Sequence, residues 1–158
     1  MASWLSFTNH KLYQCRLLLQ QAEGADHTPQ SEVLKQALTD GALYLLRDAY
    51  LSYLHELAEL ATYRQPVQSL SQLLSVTPLI TGEMREFEQL EADPFSWLSQ
   101  LLKAVDAISQ AAAFESQVPR ASQPGVISLM DTSEPEPAVW LSALSQLIDL
   151  QRENRQES

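Results

Sequence analysis

Between Thr28-Pro29 and Pro66 lies the stretch that most limits what this chain can become, because apolar residues recur there at helical spacing from Val33 to Tyr63. Thr28 offers a capping oxygen, and Pro29 suits the first helical position, where a missing N–H breaks no helical bond. Leu43, Leu46, Tyr50, Tyr53, Leu54, Leu57 and Ala61 fall within one arc at 100° per residue. Each large side chain of that arc contributes about 1.5–3 kcal/mol when fully buried, so other helices have to cover it. Gly41 interrupts the pattern at a cost of about 1 kcal/mol relative to Ala and marks a place for a kink.

Helical patterns flank this segment on both sides. The first runs from Ser3 or Ser6 to a stop before Gly24, with Leu5, Leu12, Cys15 and Leu19 on one face. A short amphipathic piece covers 69–75, and an acidic segment around Met84, Phe87 and Leu90 reaches residue 93. Asp93-Pro94 then opens a helix as cap and first residue, carrying the stripe Leu98, Leu101, Leu102, Val105, Ile108 and Ala112. Residues 115–137 contain four prolines and no helical period and read as a long connection, with VISLM at 126–130 laid along the helices. The last helix spans Ala138 to Arg152, and a frayed tail follows over 153–158.

No strand pattern of usable length and no internal repeat occurs. The expected fold is all-α: one domain over residues 1–158, an up-and-down antiparallel bundle of four main helices with one or two short ones. At 158 residues the chain can bury a core without disulfides or metal. Trp4, Trp97 and Trp140 are expected as core or interhelix anchors, and Cys15 as a small core residue.

The formal net charge of −10 works against broad phosphate-gripping surfaces, so neither nucleic acid nor anionic membrane is an expected partner. Lys and Arg are scattered singly. A lone cysteine forms no internal disulfide and fits a reducing compartment. The start carries no signal-peptide pattern, and no run of about 18 apolar residues suggests a membrane span. A cytoplasmic protein is expected.

His55-Glu56-x-x-Glu59 differs by one residue type from the zinc-protease signature, in which two His share a helical face and the Glu polarises metal-bound water. Here Glu59 replaces the second His, and further ligands would have to come from His10, His27 or carboxylates of other helices, which nothing in the sequence places there, so neither a metal nor another cofactor is expected. The di-iron bundle pattern is absent, since no Glu stands three residues before any of His10, His27 or His55. Arg47 and His55 are about 80° apart on a helix, a poor match to the Arg and His spacing of HEPN-type ribonucleases, which leaves that activity as a remote alternative. A glycine-rich phosphate loop and a nucleophile elbow are both missing.

What remains is a polar stripe. Asp48, Ser52, His55 and Glu59 follow at spacings of four, three and four, on the side opposite the Leu43 to Ala61 arc. Exposed, they form a hydrated face with a weak His55–Glu59 pair of about 0.2–0.5 kcal/mol. Lining a groove instead, they become candidate ligand residues for a cationic or hydrogen-bonding molecule or a metal.

Thr8-Asn9 with Lys11 and Tyr13, Leu54-His55-Glu56-Leu57, Tyr63-Arg64, and Asp93-Pro94 leading to Ser96-Trp97-Leu98 carry a resemblance. On these short pieces, spread over the first two thirds, the chain resembles a family of small uncharacterised helical proteins of pseudomonads and related gammaproteobacteria. That resemblance implies an all-helical domain of unknown function and supplies no activity. It also places His55, Glu56 and Arg64 at positions typical of the family, whereas Gly41 departs from it. The expected role is therefore non-enzymatic, acting through protein contacts that include self-association as a homodimer. The alternative is a small-molecule or metal-binding bundle that uses the polar stripe.

Overall fold

The computed structural model describes residues 3–117 and 134–157. VISLM at 126–130 and most of the proline-containing connection lie outside these residues. Among the described residues there are six helices: α1 (Trp4–Glu23), α2 (Pro29–Leu60), α3 (Leu70–Val76), α4 (Gly82–Ala92), α5 (Trp97–Gln117) and α6 (Pro137–Glu157). Among the described residues there is no strand. The fold is all-α, with four long helices and two short ones.

Side-chain oxygens set most of the helix starts. Ser3, Thr28, Ser69 and Thr81 each accept a hydrogen bond from the backbone N–H three residues on, satisfying a donor that the first turn leaves free. Asp93 does not cap α5. Its Oδ1 accepts from Phe95 N–H at 2.9 Å, and the chain turns once more before Ser96 Oγ accepts from Ser99 N–H at 3.1 Å. The local Asx turn thus wins over helix initiation at Pro94, and α5 starts three residues later than its proline suggests.

α2 is one continuous helix of 32 residues and passes through Gly41. The glycine sits where α1 comes close: a Cβ there would stand 3.2 Å from Leu18 Cδ1. Close approach, rather than a bend, is the structural use of this position. The other end of α2 falls short of the apolar pattern. Thr62 N–H donates to Glu59 O at 3.0 Å and Tyr63 N–H to Ala58 O at 2.8 Å, the paired bonds of a Schellman motif. Thr62 occupies the left-handed position with φ 65°, which costs a β-branched residue about 1–2 kcal/mol. With no glycine to announce it, this stop comes before Pro66 and turns the chain back along α2.

α1 and α2 are antiparallel along their length: Trp4 meets His55, Lys11 meets Asp48, Cys15 meets Ala42, and Leu18 meets Gly41. Cys15 is fully buried, and its Sγ–H donates to Ala42 O at 3.3 Å. Burial pushes its pKa up to about 12, so the thiol stays protonated and packs as a small apolar group. The core is continuous across the helices, from Cys15 through Leu43, Leu46 and Leu54 to Phe87, Leu101 and Ile148. Trp140 is buried in it, and Trp97 is packed against it.

Candidate functional site

Two residues of the stripe Asp48, Ser52, His55 and Glu59 meet α1 directly, Asp48 and His55. Asp48 stands 4.0 Å from Lys11 Nζ of α1 and 3.9 Å from Arg47, and Ser52 is buried. Trp4 of α1 stacks on the His55 ring with centroids 3.9 Å apart. Glu59 is exposed. A helical wheel assigns these four residues to one side of α2, but which neighbour covers that side is decided by tertiary packing. The covering helix brings Trp4, Thr8 and Lys11, a polar and aromatic match that a search for apolar faces passes over.

His55 holds a loop in place. Its Nδ1–H donates to Leu51 O at 2.8 Å, while Nε2 accepts from the Val67 N–H at 3.0 Å, a pairing that fits the neutral Nδ1–H tautomer. Val67 itself is buried, so the imidazole satisfies a backbone donor that the chain brings back after the Thr62 turn. His55→Ala is expected to lose about 1–3 kcal/mol of stability by stranding that N–H, in addition to the stacking on Trp4. Equilibrium denaturation checks this; a change below about 0.5 kcal/mol, with Val67 amide exchange unaltered, would mean that His55 holds nothing.

One residue further round the helix, Glu56 faces α6, where an extended polar assembly lies. Arg152 Nη2 donates to both Glu56 oxygens at 3.1 and 2.9 Å, and Arg152 Nη1 donates to Asn9 Oδ1 of α1 at 2.8 Å. Tyr53 O–H donates to Gln151 Oε1 at 2.7 Å, and Gln151 Nε2 donates in turn to Glu86 Oε1 of α4 at 2.8 Å. Arg155 Nη1 donates to Tyr53 at 3.0 Å and to Glu83 Oε2. Both guanidinium groups lie over the Tyr53 ring, 5.7 and 5.9 Å from its centre. Glu56 and Gln151 are buried, and Arg152 is 15 % exposed.

α6 runs to Glu157, beyond the helix end expected at Arg152, and these contacts lie on its closing turns. Arg152 and Arg155 point at carboxylates of α2 and α4, and that pairing gives the final turns partners that a terminal helix on its own would lack. The wheel position of Glu56 beside His55 was visible in the sequence. Its partner, 96 residues away, was not. Burial pushes the Tyr53 pKa up to about 12, with the bond from Arg155 opposing, so the phenol remains a donor to Gln151 at neutral pH.

Tyr50 and Glu91 make a second, half-buried link, from α2 to α4, in which the phenol O–H donates to Glu91 Oε2. Burial raises the Glu91 pKa, with the Tyr50 bond opposing, and burial together with the nearby Glu91 charge raises the Tyr50 pKa. A group whose pKa rises on folding gives its full stability below the unfolded value and loses it as pH climbs through the folded one. Glu91→Gln keeps an acceptor for Tyr50 without a charge. The variant is therefore expected to be more stable than the parent at neutral pH, with the gap closing as pH falls toward the ordinary value of 4.5. Urea titrations across this range test it, and a gap that grows in acid would contradict it.

Among the described residues no group of three or more His, Cys, Asp or Glu stands close enough to hold a metal ion. Among the described residues no helix is long and apolar enough to cross a membrane. The polar groups of both assemblies are directed at one another across helix interfaces, which defines an all-α bundle closed by internal polar clamps. The family model described as "Family of unknown function (DUF6586)" matches residues 1–158, and the chain belongs to this family. No curated protein and no solved structure matches it.

Proposed function

We propose that this protein is a non-enzymatic cytosolic helical bundle that acts through protein contacts, self-association as a homodimer among them. The observation that carries the reading is where its polar chemistry is spent. Glu56, Arg152, Arg155, Tyr53, Gln151 and His55 all engage other protein groups in holding helices and loops together. In this reading Asp48 and His55 of the stripe serve the α1–α2 seam.

Large apolar side chains remain outside the bundle as contact groups, among them Phe95 at 85 %, Leu79 at 61 % and Leu60 at 59 % exposure. The net charge of −10 favours protein partners over nucleic acid or an anionic membrane. Light scattering over a wide concentration range, with affinity capture from a host extract, tests the proposal. Concentration-dependent mass, or a retained partner lost when Phe95 and Leu79 are changed to Ser, is the expected result. A strictly monomeric mass with no partner retained would overturn it, and saturable stabilisation by a metal ion or small molecule that Asp48→Asn and Glu59→Gln abolish would replace it.

A further inference from the structure

We draw no further inference here: the strongest candidate, the cleft where α1, α2 and α6 converge beneath Glu23, Glu32, Glu134 and Glu136, carries nothing, because it is a cluster of exposed carboxylates with no second feature among the described residues to say what would sit there.

Discussion

Arg152→Ala is expected to cost about 3–5 kcal/mol, a large fraction of the total stability of a domain this size. The substitution removes the cation that faces Glu56 and leaves a buried carboxylate bonded to nothing charged. The size of the loss comes from that stranded charge more than from the pair itself, because taking two ions out of water offsets much of their attraction. A second change separates the two contributions. Adding Glu56→Gln to Arg152→Ala removes the stranded charge, so the double variant is expected to recover part of the loss. Thermal or denaturant unfolding of the four proteins in the cycle measures it. Additive losses in the double variant would show that Glu56 and Arg152 do not act as a unit.

Phe87→Ala is expected to cost a similar amount, about 3–5 kcal/mol, for an unrelated reason. Phe87 is fully buried, with its ring centre 5.2 Å from that of Tyr50 and 5.8 Å from that of Tyr53. Truncation opens a cavity under both tyrosines, and their hydroxyls are the groups that reach Glu91 and Gln151. The loss should therefore come with altered environments for both tyrosines, seen as a weakened near-ultraviolet dichroism in protein that is still folded. A cost under about 1 kcal/mol would mean that α4 rests on the bundle without being part of its core.

How far these elements could be read from the sequence depended on the range of the interaction responsible. Thr28 and Pro29 announced the start of α2, because capping acts within one turn. The Leu43 to Ala61 arc was legible for the same kind of reason, since helical period is local and burial follows it. Asp93 misled because an aspartate before a proline can close an Asx turn as readily as it caps a helix, and Ser96 stood ready to cap three residues later. Thr62 gave no warning, because threonine is an unusual occupant of the left-handed position it takes at the end of α2.

The polar assemblies were harder to read. His55 and Glu56 are adjacent in sequence and about 100° apart on the helix, so one serves the loop at Val67 and the other α6. Neither partner is within ten residues of them. Residues 153–158 are expected as a frayed tail, because a chain end is ordered only where something ties it down. Only the fold brings Arg152 and Arg155 to Glu56, Glu83 and Tyr53.

α6 is the last of these helices to be synthesised, and its clamp gathers α1, α2 and α4 at once. On a ribosome still adding Arg152 and Arg155, the nascent bundle carries Glu56 and Glu83 without their counterions. Docking of the closing turns of α6 is the step that supplies both acids with their partners.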